Sequence, residues 1–226
     1  MDGPAIPWLE TERLILRGWR PEDRAPFATM NADPQVAEFL SRALDRAASD
    51  ALIDRIVGHW ADDGHGLWAV ERRDDGRFIG FVGLTTPSFE AAFTPCVEIG
   101  WRLAPEAWGN GYATEGARAA LRFGFERIGL AKIVSFTVPA NVRSRAVMER
   151  IGLTRDPADD FEHPGLPEGH PLRKHVLYRL SRSDWPRVWR PVAVSRPTGR
   201  TTNRSRADGL TAGSAFDWPA GRDNRR

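Results

Sequence analysis

The chain of 226 residues is 41% hydrophobic and 27% charged, an ordinary globular composition with room for one sizeable core and a tail. No apolar run approaches the roughly 18 residues of a membrane span, and a lone Cys96 excludes an intrachain disulfide framework or a multi-cysteine zinc site. Formal net charge is +2 but divided unevenly, with nine Arg against four Asp (+5) over 183–226 and −3 on 1–182. The N-terminus, MDGPAIPWLE, has neither the basic flank nor the apolar stretch of a signal peptide, so the expected location is the cytoplasm.

The first element is a strand over 10–17, closed by Gly18. Arg20-Pro21-Glu22-Asp23 marks a helix start, because proline suits the first helical position and two acids favour its positive end. Leu44, Ala48, Leu52, Ile56 and Trp60 recur every four residues and predict a longer helix, ended by Gly64 and Gly66. Asp74-Asp75-Gly76 between β-rich runs at 68–71 and 78–84 predicts a hairpin. Val97, Ile99, Trp101 and Leu103 then alternate with Glu98, Gly100 and Arg102, which gives a strand with one buried face. After a glycine-rich turn, Ala117, Leu121, Phe125 and Ile128 mark another helix, and 132–138 is β-rich. A helix over about 142–151 has Asn141 as its cap and Gly152 as its stop. A last strand covers 175–180. This order predicts a mixed α/β sheet with helices on its faces, occupying 1–182. Residues 183–226 form an Arg-, Pro- and Gly-rich tail, expected to be largely disordered because its apolar surface is too small to offset ordering entropy. Trp185, Val188 and Trp189 are candidates to pack its first residues onto the body.

The strand at 97–103 runs into Trp108-Gly109-Asn110-Gly111-Tyr112-Ala113-Thr114-Glu115-Gly116 and so into a helix. Such a loop aims several backbone N–H groups at one spot, and the helix dipole adds partial positive charge, which suits a phosphate or pyrophosphate. A Walker loop fails because Ala117 stands where Lys is required, and a dinucleotide fingerprint fails because position 114 is Thr.

These residues resemble the GNAT superfamily of N-acetyltransferases, especially its RimJ/RimL-like branch, which includes ribosomal-protein alanine N-acetyltransferases. The superfamily holds the pyrophosphate of acetyl-CoA in a Gln/Arg-x-x-Gly-x-Gly/Ala loop, and here Trp108 departs from its first position. The resemblance continues in Leu9-Glu10-Thr11-Glu12-Arg13-Leu14-Ile15-Leu16-Arg17. It resumes in Asn141-Val142-Arg143-Ser144, Val147-Met148-Glu149-Arg150-Ile151-Gly152-Leu153 and the segment from His163-Pro164 to Tyr178, so that it covers 9–182 in family order.

The resemblance implies a mostly antiparallel mixed sheet that splays at a cofactor cleft, with helices on both faces. It implies acetyl-CoA as co-substrate, no metal, and transfer to a primary amine, either a protein N-terminus or a small molecule, by direct attack in a ternary complex. Backbone amides of Gly109, Asn110, Gly111, Tyr112 and Ala113, next to Trp108, would hold the pyrophosphate, and main-chain groups around Trp101 to Leu103 the pantetheine arm. Asn141 is a helix cap, a contact to that arm, or both; Ser144 is one turn on. Glu98 is the candidate base, with an Arg-paired strand carboxylate as the alternative. The general acid is unassigned: Met148 stands where many relatives carry Tyr, and Tyr178 reads as a packed strand residue. His163, His170 and His175 fall on the acceptor side, spaced unlike metal ligands on one helical face. The competing reading is an acyl-CoA-binding sensor or scaffold without turnover. No membrane partner is expected, nucleic acid or ribosome contact would fall to the tail, and the assembly is a monomer or homodimer.

Overall fold

A computed structural model describes residues 6–40 and 43–188. Two short strands, β1 (Leu9–Glu10) and β2 (Leu14–Arg17), open the chain. Pro21–Asp23 makes one 3-10 turn that leads into α1 (Arg24–Ala32), and a second proline starts the four-residue α2 (Pro34–Ala37) under an Asp33 cap. The chain then forms α3 (Arg46–Asp63), β3 (Leu67–Arg72), β4 (Phe78–Thr85), β5 (Glu98–Leu103) and α4 (Tyr112–Arg122). A π-helical turn, Phe123–Ile128, extends α4 to Gly129, which has a positive φ of 81°. There follow β6 (Lys132–Thr137), α5 (Val142–Arg150), β7 (Thr154–Arg155), β8 (Phe161–Glu162), β9 (Lys174–Ser181) and α6 (Trp185–Val188). No described helix is long and apolar enough to cross a membrane.

The strands join in the order β1-β2-β3-β4-β5-β6-β9-β7, with β8 on β9. Every pairing is antiparallel except β5–β6. This is the mixed, mostly antiparallel sheet expected from the sequence. The large core lies on one face, where Ala117, Ala120 and Leu121 of α4 meet Val82, Leu84, Ile99 and Ile133. A Cβ on Gly116 would stand 3.2 Å from Val82 Cγ2, so the small residue sets how closely α4 approaches β4. The second core, on the other face, joins Phe27 and Met30 of α1, Val36 of α2 and Ile53 of α3 to Phe81 of β4. With both faces covered, β4 is buried from Ile79 to Leu84, hence its unbroken apolar run.

The long second helix is real, but its buried stripe is Ser49, Ile53, Ile56 and Trp60. Strict spacing of four drifts around a helix of 3.6 residues per turn, so Ala48 and Leu52 lie on the margin of the stripe. The two-residue strands and α2 are too short to leave a periodic signal. At the other end, Trp185 is 5% exposed with its ring 5.4 Å from Phe125, and Val188 covers Gly152. The tail from 189 on, including Trp189, lies outside the described residues.

Gly80 fixes the seat of β5. Its φ is +130°, and a Cβ there would lie 2.1 Å from the carbonyl oxygen of Arg102. Gly80→Ala is expected to destabilise the fold by about 2–4 kcal/mol. A urea midpoint equal to that of the wild type would refute it.

Candidate active site

The site begins with a defect in the sheet. Glu98 and Val134 form the one β5–β6 register pair among the described residues, next to a Val134 N–H donating to Val97 O at 2.9 Å. Beyond that point β5 continues its pairing with β4 as far as Leu103, and β6 pairs with β9 as far as Thr137. The two strands therefore part, and the sheet opens a gap. Loops from both arms meet over it: α4 starts after β5, α5 starts after β6, and the Arg143 guanidinium of α5 lies 4.3 Å above the Trp108 ring.

The loop from β5 to α4 is held from three directions. Gly109 and Gly111 both have φ of +78°, which side chains with a Cβ rarely adopt. Trp108 Nε1 donates to Leu103 O at 2.8 Å, and Asn110 Nδ2 donates to Trp108 O at 3.0 Å. Arg13, in the turn between β1 and β2, donates to Asn110 O at 2.9 Å and lies 4.8 Å over the Tyr112 ring. Glu115 accepts from Thr11 Oγ1, the Arg13 amide and Arg13 Nε at 2.6–2.8 Å. These contacts hold the Glu115 carboxyl below the usual carboxylate range, against the effect of its partial burial. No side chain caps α4, whose N-cap is Gly111, so its leading amides point out with the helix dipole behind them. That arrangement fits an anionic diphosphate. Thr11 and Arg13, about a hundred residues away in the chain, had no sequence signal beyond the opening motif.

Glu98 stands where the gap starts. It is half-buried, and among the described residues no arginine or other group forms an ion pair or side-chain hydrogen bond with it. Burial pushes its carboxyl up to about 8. Alternation puts Glu98 and Arg102 on one face of β5, with Phe81 as the cross-strand partner of Arg102. The same face continues across β6 and β9 through Val134, Phe136, Leu177 and His175. At one end of this face lies the second core, through Phe81 beside Arg102. At the other stands a half-exposed group of rings: Phe89, Phe93, Phe136, Phe161, His163 and His175, with the two imidazoles 5.1 Å apart. Burial lowers both imidazoles below their ordinary range. His170 instead accepts the Leu172 N–H in its own turn.

The remaining candidates are placed as follows. Asn141 caps α5, its Oδ1 accepting from Ser144 N at 3.1 Å while Nδ2 donates to Thr137 Oγ1 at 3.1 Å. Trp101 packs on the large core, and Leu103 is buried in it. Tyr112 and Ala113 also pack against that core at the start of α4. Met148 is 1% exposed within it. Tyr178 is buried and donates to Glu149 Oε1 at 3.0 Å, as a packed strand residue. Cys96 is half-buried, and burial together with the Glu98 charge raises its thiol above the ordinary range, which disfavours a nucleophilic thiolate.

Residues 13–154 match the family model described as Acetyltransferase (GNAT) domain. The chain belongs to the GNAT acetyltransferase family. It is 32% identical over 201 residues to the FsC-acetyl coenzyme A-N(2)-transacetylase of Aspergillus fumigatus, spanning 83% of this chain and 81% of that protein. It is 25% identical to YnaD of Bacillus subtilis, an uncharacterized N-acetyltransferase, over 78% of this chain and 98% of that one. Among solved structures it resembles an acetyltransferase from Agrobacterium tumefaciens at 31% identity and a TM-score of 0.63, covering 78% of this chain and 95% of that one. The ribosomal-protein-S5-alanine acetyltransferase of Vibrio fischeri shares the fold at 16% identity and a TM-score of 0.63, over 79% of this chain and 98% of that one. This GNAT protein is thus an acyltransferase of a family that uses acetyl-CoA as co-substrate.

The raised Glu98 carboxyl has a consequence for stability. Between its ordinary value of 4.5 and about 8 the folded state holds a proton that the unfolded state releases, so stability falls as pH rises through that window. Relative to the wild type, Glu98→Gln is expected to gain thermal stability between pH 5 and pH 8. Parallel melting temperatures across that range would contradict the assigned shift.

Proposed function

We propose that this enzyme transfers the acetyl group of acetyl-CoA to a primary amine, a protein N-terminus or a small amine, by direct attack in a ternary complex, and that it belongs to the RimJ/RimL-like branch. The observation that carries the mechanism is Glu98, a half-buried carboxyl with no ion-pair partner among the described residues, at the point where β5 and β6 part. The branch rests on Trp108-Gly109-Asn110-Gly111-Tyr112-Ala113-Thr114-Glu115 and on the 141–153 motif. The relative in Aspergillus fumigatus, whose name joins acetyl coenzyme A to an N(2) position, supports a nitrogen acceptor.

In this reading the amides of Gly109 to Ala113 bind the pyrophosphate of the donor. Main-chain groups near Trp101 to Leu103 align the pantetheine arm, with Leu103 O already engaged by Trp108 Nε1. Asn141 and Ser144 border the arm from the α5 side. Glu98 removes a proton from the acceptor ammonium, directly or through one water. The freed amine forms the C–N bond as the C–S bond breaks, and the thiolate takes its proton from water, since Met148 supplies none.

Proton affinities favour an α-amine. Its pKa is close to 8, so transfer to a carboxylate of about 8 is nearly balanced. A lysine ammonium near 10.4 would make the same transfer uphill by roughly 2.4 units, or about 3 kcal/mol. The buried Met148 favours one second reading, a binding protein without turnover.

Glu98→Gln is expected to lower kcat by about 10²–10⁴-fold with the calorimetric affinity for acetyl-CoA retained. The wild-type rate should rise with pH through about 8. A loss below threefold returns Glu98 to a structural role, and binding without amine-dependent thiol release favours the sensor. Gly111→Val, forced into the left-handed region, is expected to abolish acetyl-CoA binding heat; retained heat overturns the loop assignment.

A further inference from the structure

We infer that Arg102 recognises a carboxylate on the acceptor, so that the amine acetylated is part of an amino-carboxylate; this deepens the acetyltransferase reading above and rests on it. The buried Arg17 pairs with Asp23 and Glu71, and the half-buried Arg155 and Arg179 pair with Asp160 and Asp159, while Arg145 spends its donors on Pro139 O and the Tyr178 hydroxyl. Arg102 has no carboxylate partner among the described residues. Its Nη1 donates to Asn31 Oδ1 at 2.7 Å, and the guanidinium lies 5.4 Å over the Phe81 ring. A guanidinium carries five donors, and among the described residues this one makes a single hydrogen bond.

The position of the group excludes a simple solvated surface role. Asn31 is fully buried, and its Nδ2 donates to the buried Ser49 Oγ at 2.8 Å, which fixes the side-chain amide with Oδ1 toward Arg102. A polar chain Ser49–Asn31–Arg102 thus crosses a face otherwise covered by Phe27, Met30, Val36 and Phe81. Apolar residues of similar volume would be as stable or more so. The chain instead holds a forked cation still, with part of its surface open to solvent. It sits on the same face of β5 as Glu98, four positions on, or about 13 Å along the strand. Burial lowers the guanidinium to about 10, so it stays charged at neutral pH in surroundings that strengthen its pull on an anion. Amine at Glu98 and carboxylate at Arg102 would give the acceptor two fixed points.

The test uses the full-length protein, acetyl-CoA and thiol release, with matched acceptors. One arm compares free ω-amino acids of increasing chain length with their carboxamides, because an α-carboxylate shares one carbon with its amine and cannot span the two points; the other compares peptides bearing Asp or Glu near the N-terminal residue with their Asn and Gln counterparts. The arm that discriminates identifies the source of the carboxylate. Wild-type kcat/KM is expected to favour carboxylate over carboxamide by about tenfold or more. Arg102→Gln should bring that ratio to about one, chiefly through KM, and Arg102→Lys should restore part of it. Asn31→Asp, nearly isosteric, would neutralise Arg102 internally and should collapse the ratio in the same direction. Equal wild-type rates on both members of every pair overturn the inference alone, as does a proportional loss on both in Arg102→Gln. A panel in which no amine releases thiol overturns the acetyltransferase reading and this inference with it.

Discussion

The parting of β5 from β6 immediately after Glu98 and Val134 is the constraint on which the rest of the molecule depends. An intact ladder would satisfy those strands with each other and close the sheet. Instead β5 is held to β4, with Gly80 admitting the close approach, and β6 is held to β9 over six register pairs. Each arm is anchored on its outer side, so the gap between them is a property of the fold and does not depend on a loose strand. The pairing and its loss also explain the state of Glu98. Glu98, at the one paired position, is removed from solvent with no ion-pair partner among the described residues, and the carboxyl holds its proton to about pH 8.

The mouth of the gap is built from distant parts of the chain. Gly109 and Gly111 give the loop its path, but Arg13 and Glu115 hold it in place. The β1–β2 turn thereby braces the start of α4, the region where amide direction and helix dipole coincide. Trp108 fastens the loop to the end of β5 and receives Arg143 from α5 on its ring, linking the two arms. A loop ordered in advance loses less entropy when it binds an anion, which is how modest amide contacts sum to useful affinity.

The two faces of the sheet have different work. The α4 face is a continuous apolar core that includes Met148 and Tyr178, and chemistry has no opening there. The opposite face carries the polar residues of β5 between two aromatic groups, and its polar chain ends in Arg102. Polar groups in such a layer lower stability unless they are used, and their concentration beside Glu98 is what separates an acceptor face from a packing face.

The order of long strands and helices was legible in the amino-acid sequence because each is longer than one period of its own pattern. The hairpin at Asp74-Asp75-Gly76, the alternation of β5 and the cap at Asn141 are local effects of the same kind. The glycine-bearing loop was legible too, since only residues without a Cβ take φ of +78° freely. The strands of two residues were not, because pairing with β2 and β9 creates them. Nor was the bracing by Arg13 and Glu115, the missing partner of Glu98 or the chain Ser49–Asn31–Arg102. Those depend on which residues meet across tens of positions, and a one-dimensional pattern carries backbone preference and burial but not the identity of a distant neighbour.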